Sequence, residues 1–153
     1  MITGLNHVTF GVCDLEQSFR FYTDVLGLRP VLRWNEGAYL LAGEFRIALI
    51  LDEQSHRPNE GYSHLAFSVE PADFEKLSER IKASGARIWQ QNQSEGPSLY
   101  FLDPDGHKLE LHASDLSARF RYQRLHATSD MQFFGDSGAK KANGNAECGN
   151  QKR

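Results

Sequence analysis

His7, His64 and Glu110 are the side chains whose types and settings point to shared chemistry. Each lies in a short stretch that reads as a β-strand: Asn6-His7-Val8-Thr9-Phe10, Ser63-His64-Leu65-Ala66-Phe67 and Lys108-Leu109-Glu110-Leu111-His112. Two imidazoles and a carboxylate leave part of a divalent ion's coordination sphere open, which a catalytic centre needs and a structural one avoids. A lone strand histidine is usually a surface or satisfied core residue, but these two occupy equivalent places in a repeat. His-Val-Thr-Phe-Gly-Val at His7 answers to His-Leu-Ala-Phe-Ser-Val at His64. Equivalent residues of two pseudo-symmetric modules face each other across the axis that relates them, and Glu110, set between Leu109 and Leu111, needs a partner if buried. His112 lies on the same strand face as Glu110 and stays open as a further ligand. His107 sits in the turn and is a weaker candidate, its ordinary reading being an exposed turn residue.

The elements that must position these residues follow from periodicity. Residues 5–12 alternate as a strand, with His7 and Thr9 on one face and Val8, Phe10 and Val12 on the other. Asp14 followed by Gln17 caps a helix whose stripe is Leu15, Phe19, Tyr22 and Leu26, stopping at Gly27. Strands are expected near 28–34, 38–41 and 45–51, which makes the unit βαβββ. After a polar linker from Ser55 to Gly61 the plan restarts. Asp73-Phe74-Glu75 matches Asp14-Leu15-Glu16, Gly85-Ala86-Arg87 matches Gly27-Leu28-Arg29, and Phe74, Leu77 and Ile81 form the second helical stripe. The closing hairpin turns at Asp103-Pro104-Asp105-Gly106. Two half-barrel modules, about 1–54 and 61–113, are followed by a short helix from Asp115 to about Leu125 carrying Arg119.

The 153 residues suit one domain with a tail, and 40% hydrophobic with 11% aromatic residues suffices for a packed core. A net charge of −3 gives no reason to expect nucleic acid or an anionic membrane as partner. The start, Met1-Ile2-Thr3-Gly4-Leu5-Asn6, has neither a basic region nor a long apolar run, so a cytoplasmic protein is expected. Cys13 and Cys148 form no disulfide framework. Residues 135–153 have almost nothing to bury and are expected to be disordered.

The stretch Asn92-Gln93-Ser94-Glu95-Gly96-Pro97-Ser98 is too polar and turn-prone for a strand. Its composition suits a plain surface loop, an oxygen-rich cage for a monovalent cation, or an anchor for an anionic substrate, and spacing alone does not choose. A resemblance does. Gly4-Leu5-Asn6-His7, Trp34-Asn35-Glu36-Gly37-Ala38-Tyr39-Leu40, Ser94-Glu95-Gly96 and the run from Tyr100 to His112 resemble the fosfomycin-resistance glutathione transferases, metalloenzymes of the vicinal oxygen chelate superfamily. The similarity runs from Met1 to about Phe134.

That resemblance implies an α+β fold of paired βαβββ modules in a domain-exchanged homodimer, with His7 of one subunit joining His64 and Glu110 of the other at a Mn(II) ion. It implies that glutathione opens the epoxide of fosfomycin. Thr9 would hydrogen-bond near the reacting oxygen. Ser94, Tyr100 and Arg119 would hold the phosphonate, and Asn92, Ser94, Gly96 and Ser98 would line a potassium loop. Trp34, Tyr39 and Tyr62 would lie near the thiol substrate, with core packing as their ordinary alternative. Three departures stand out: Gln90 where the family usually has lysine, Arg46 where it usually has tryptophan, and Glu36 at about the position where related epoxide hydrolases carry a general base. Arg46 restores the missing cation if it turns into the site. The competing expectations are hydrolysis by Glu36-activated water, use of another thiol such as bacillithiol or cysteine, a metal-free binding module, and an Fe(II) ring-cleaving dioxygenase.

Overall fold

The computed structural model describes residues 1–54 and 61–134. Most of the expected linker, the expected disordered tail at 135–153 and Cys148 lie outside the described residues.

The chain begins with β1 (His7–Val12), α1 (Leu15–Arg20) continuing as a π-helical turn (Phe21–Val25), β2 (Arg29–Trp34), β3 (Gly37–Ala42) and β4 (Phe45–Leu51). It repeats as β5 (Leu65–Ser68), a 3-10 turn (Pro71–Asp73), α2 (Phe74–Ala83), β6 (Ile88–Gln90), β7 (Ser98–Leu102) and β8 (Lys108–His112), and ends in α3 (Leu116–Leu125). The first sheet has strand order β1-β4-β3-β2 and the second β5-β8-β7-β6. In both, the first strand runs parallel to the last and the remaining pairs are antiparallel. The repeat in the sequence is thus a repeat in topology.

Local chemistry accounts for most boundaries and for two departures from the sequence pattern. Asp14 accepts the Gln17 backbone N–H at 3.0 Å and caps α1. The helix then widens: the Leu26 N–H reaches back five residues to the Phe21 carbonyl, while the Thr23 hydroxyl donates to the Phe19 carbonyl. Asp73, the counterpart of Asp14, makes no side-chain cap. The chain enters α2 through the Pro71 turn, so Asp73 has near-helical dihedrals instead of the extended ones of a capping residue.

Met1–Ser114 forms one compact unit and a second begins at Asp115. Within the first, one face of each sheet and both helices share a core of Val12, Leu15, Tyr22, Leu40, Ile47, Leu49, Ile81, Phe101 and Leu109. Strand alternation therefore sends His7 and Thr9, and in the other sheet Tyr100 and Glu110, to the faces away from that core. In the second unit the Asp115 carboxylate accepts the Ala118 N–H at 2.7 Å, and the Phe120 and Phe133 rings meet edge to face. Among the described residues no helix is long and apolar enough to cross a membrane.

Candidate functional site

The second sheet builds half of a site. β5 and β8 pair with Ala66 opposite Glu110, so His64, two residues before Ala66, projects to the same side as the carboxylate. His64 Nε2 lies 2.9 Å from Glu110 Oε2, while Nδ1 lies 3.1 Å from the Tyr62 carbonyl. A carbonyl cannot donate, so the Nδ1 proton goes to Tyr62 and Nε2 turns its lone pair towards a carboxylate oxygen. Two acceptors held this close call for a cation against them, either a second proton on the ring or a metal ion. About 3 Å is also the separation of neighbouring corners of an octahedron with bonds of about 2.1 Å. Glu110 is 6% exposed, so the charge on its carboxylate is poorly served by water.

The other Glu110 oxygen is tied to the polar loop. Ser98, first residue of β7, donates to Glu110 Oε1 at 2.7 Å and lies 2.6 Å from His112 Nδ1, the imidazole being the donor there. The chain of contacts continues from Ser98 Oγ to Ser94 Oγ at 3.2 Å and from Ser94 to Asn92, whose Oδ1 accepts both the Ser94 N–H and hydroxyl at 2.9 Å. Asn92 Nδ2 closes the loop by donating to the Gly96 carbonyl at 2.9 Å. Gly96 has φ of +76°, and a Cβ there would stand 3.1 Å from that of Ser114, so the turn suits glycine on both counts. The loop is a hydroxyl- and carbonyl-rich arc that ends on the Glu110 carboxylate.

Tyr100 pairs directly with Glu110 and shares its face. Burial pushes its phenol above the usual range and the Glu110 carboxylate adds to this, against the Ser94 and Ser98 hydroxyls. Tyr100 is therefore a neutral O–H donor at physiological pH. His64 sits among rings, with centroids 5.3 Å from Tyr62, 5.7 Å from Trp89 and 5.9 Å from Tyr100. Trp89 is a site residue that the sequence pattern misses. Alternation would turn it away from Gln90, but the β6–β7 register shifts between Ile88 and Gln90, and Trp89 is the extra residue of that bulge. Its ring packs 5.3 Å from Tyr100 and under Lys108 Nζ at 5.1 Å.

The first sheet carries the remaining candidates on its outward face. His7 and Arg46 are register partners on β1 and β4, and Thr9 lies opposite Ala48, which in turn pairs with Tyr39. Arg46 Nη2 donates to Asn6 Oδ1 at 3.0 Å and lies 2.8 Å from His7 Nδ1, which is itself 2.7 Å from Asn6 Oδ1. Nδ1 is thus held between an acceptor, Asn6 Oδ1, and a donor, the Arg46 guanidinium. The guanidinium lies 5.1 Å over the Tyr39 ring, and Trp34 meets Tyr39 edge to face at 5.1 Å. Gly37 makes room for Trp34, since a Cβ there would come within 2.4 Å of the indole. Glu36 stands exposed in the turn between β2 and β3.

His64 and Glu110 are therefore in contact, whereas His7 sits on the other sheet with Asn6 and Arg46. Among the described residues no three metal-ligating side chains of one chain converge. Arg119 lies on α3 in the second unit.

Comparison with known proteins gives a consistent family. Residues 4–111 match the Glyoxalase/Bleomycin resistance protein/Dioxygenase superfamily. The chain is 48% identical to Glutathione transferase FosA of Serratia marcescens, covering 89% of this chain and 99% of that one. It is 36% identical to Metallothiol transferase FosB of Staphylococcus epidermidis, over 87% and 96% of the two chains. The fosfomycin resistance protein FosX of Listeria monocytogenes, solved in complex with Mn(II) and sulfate ion, superposes with a TM-score of 0.70 at 30% identity, over 80% and 98%.

Proposed function

The chain belongs to the Glyoxalase/Bleomycin resistance protein/Dioxygenase superfamily, and from that premise we propose that it transfers glutathione to fosfomycin and so confers resistance to the drug. The observation that carries this is the 2.9 Å meeting of His64 Nε2 and Glu110 Oε2, beside the Tyr100 phenol, in a chain 48% identical to a glutathione transferase. The glutathione sulfur forms a bond to an epoxide carbon, the carbon–oxygen bond breaks, and the thiol proton ends on the released oxygen.

His64 and Glu110 of one subunit and His7 of the partner subunit would hold a divalent ion, Mn(II) in this reading, in a homodimer. Bound there, the ion supplies a Lewis acid that draws charge onto the epoxide oxygen. Tyr100, kept neutral by burial, donates its hydroxyl to a phosphonate oxygen, and the Ser94 hydroxyl turns from Asn92 Oδ1 to do the same from the loop. Thr9, on the same strand face as His7, hydrogen-bonds near the reacting oxygen. Asn92, Ser94, Gly96 and Ser98 would hold potassium through hard oxygen donors, and the ion would add positive charge beside the anionic substrate.

Arg46 takes over the charge that Gln90 lacks, because it lies on the His7 face beside Tyr39. Trp34, Tyr39 and Tyr62 flank the thiol substrate with aromatic surface. The site works in the cytoplasm, where glutathione is kept reduced.

A second reading keeps the site and exchanges sulfur for water. It is favoured by Glu36, an exposed carboxylate on the β2–β3 turn, and by similarity to a FosX structure solved with 1S,2S-dihydroxypropylphosphonic acid, a diol. Mass spectrometry of fosfomycin incubated with the protein, glutathione and Mn(II) separates the two. A glutathione adduct is expected, and a diol in its place would overturn the transferase reading.

A further inference from the structure

The turn that closes the second module is held by three separate elements of the first. Asp105 Oδ1 accepts the Cys13 backbone N–H at 2.7 Å, just past the end of β1, and Oδ2 accepts the Ser18 hydroxyl of α1 at 2.7 Å. Asp103 Oδ2 accepts the Tyr22 hydroxyl of the π-helical turn at 2.8 Å. The same carboxylate gathers its own turn: Oδ1 accepts the Asp105 and His107 N–H groups at 3.0 and 2.7 Å, and Oδ2 lies 2.7 Å from His107 Nδ1. The His107 ring lies 4.6 Å from Phe10 of β1. Ser18 and Tyr22 are fully buried, and the Asp103 side chain has no exposure.

From the core alone, two modules joined by apolar side chains keep some freedom to slide and tilt, since apolar contact is non-directional. Short, charge-assisted hydrogen bonds in a buried setting are directional and costly to break. We infer that Asp105, with Asp103 behind it, is a positioning residue for the metal site: it fixes the angle between β1, which carries His7, and β8, which carries Glu110. The inference rests on the reading that His7 of one copy meets His64 and Glu110 of another at a divalent ion. In a symmetric pair, the angle between the modules of one chain sets where each of its ligands stands in the two shared sites.

The lever is long enough to matter. The clamp grips β1 at its far end, so His7 stands about 20 Å away along the strand. A rotation of about 5° at the clamp would carry His7 through about 2 Å, against a tolerance of about 0.2 Å for a metal–ligand bond.

The test is Mn(II) titration of the intact protein followed by electron paramagnetic resonance, run beside thermal melts. Asp105→Ala should fold, melt lower, and bind Mn(II) about tenfold or more weakly. Asp105→Asn offers an oxygen to Cys13 N–H and an amide to Ser18 Oγ, and should restore affinity to within about twofold of wild type. Ser18→Ala cuts one arm only and serves as the readout if Asp105→Ala does not fold; its weaker Mn(II) binding would support the same conclusion. Wild-type affinity in the folded alanine variant would show that the turn only adds stability and would overturn the inference alone. A wild-type protein that takes up no Mn(II) would overturn the metal-site reading and the clamp's function with it.

Discussion

At His64, the imidazole meets a buried carboxylate at 2.9 Å, the spacing of two neighbouring ligands on one ion. His64→Ala is expected to abolish tight Mn(II) binding in a titration, because two of the remaining groups, His7 and Glu110, make too few bonds to hold the ion. Unchanged stoichiometry would remove His64 from the site. Arg46 is the second residue that decides something. Its Nε is buried without a hydrogen bond, while Nη2 is engaged with Asn6 beside His7. Arg46→Ala should weaken fosfomycin binding by about tenfold or more, the usual scale of a lost hydrogen bond to a charged group, and Gln90→Lys introduced beside it should recover most of the loss in calorimetry. No recovery would show that the two positions serve different groups. His7, His64 and Glu110 were legible as candidate ligands from residue type and repeat, and of these the fold brings His64 and Glu110 together; Trp89 was not legible, because a bulge is invisible to strict alternation.

At the scale of elements, the turn from Asp103 to His107 carries a testable pH dependence. Burial opposes a charge on His107, but the hydrogen bond and charge of Asp103, with that of Asp105, outweigh it and hold its pKa above the ordinary value. The Tyr22 hydroxyl also faces this pair, on Asp103, and stays neutral because burial and the two carboxylates push its pKa well up. The sign follows from linkage: a raised histidine pKa contributes stability that is fully present below about 6.5 and lost as pH rises through the folded value. Thermal melts of the wild type should therefore decline over that window, and His107→Gln should flatten the decline; an identical slope in both would remove His107 from the account. The strands and helices were readable from period and punctuation. The turn was readable only as a turn, since its partners Cys13, Ser18 and Tyr22 are distant in sequence and share no local pattern with it.

At the scale of the whole molecule, the first sheet leaves Leu32 51% and Trp34 36% exposed on β2, at the opposite edge from His7, apolar surface of the kind a second copy would cover. A site shared between subunits predicts complementation. His7→Ala and His64→Ala homodimers should each be inactive, yet mixed after unfolding they form heterodimers with one intact site of two, so about a quarter of the wild-type activity should return. No rescue would mean that each chain completes its own site. The sequence by itself determined the repeated βαβββ plan, the candidate ligand types and the polar loop, because each is written in residues close along the chain or in a pattern that recurs. Only the tertiary structure decided that His64 and Glu110 touch while His7 does not join them, that Arg46 turns to the His7 face, and that a buried pair of aspartates joins the modules. Those outcomes depend on which strand pairs with which and on where a bulge falls, and long-range pairing is not encoded in any single segment.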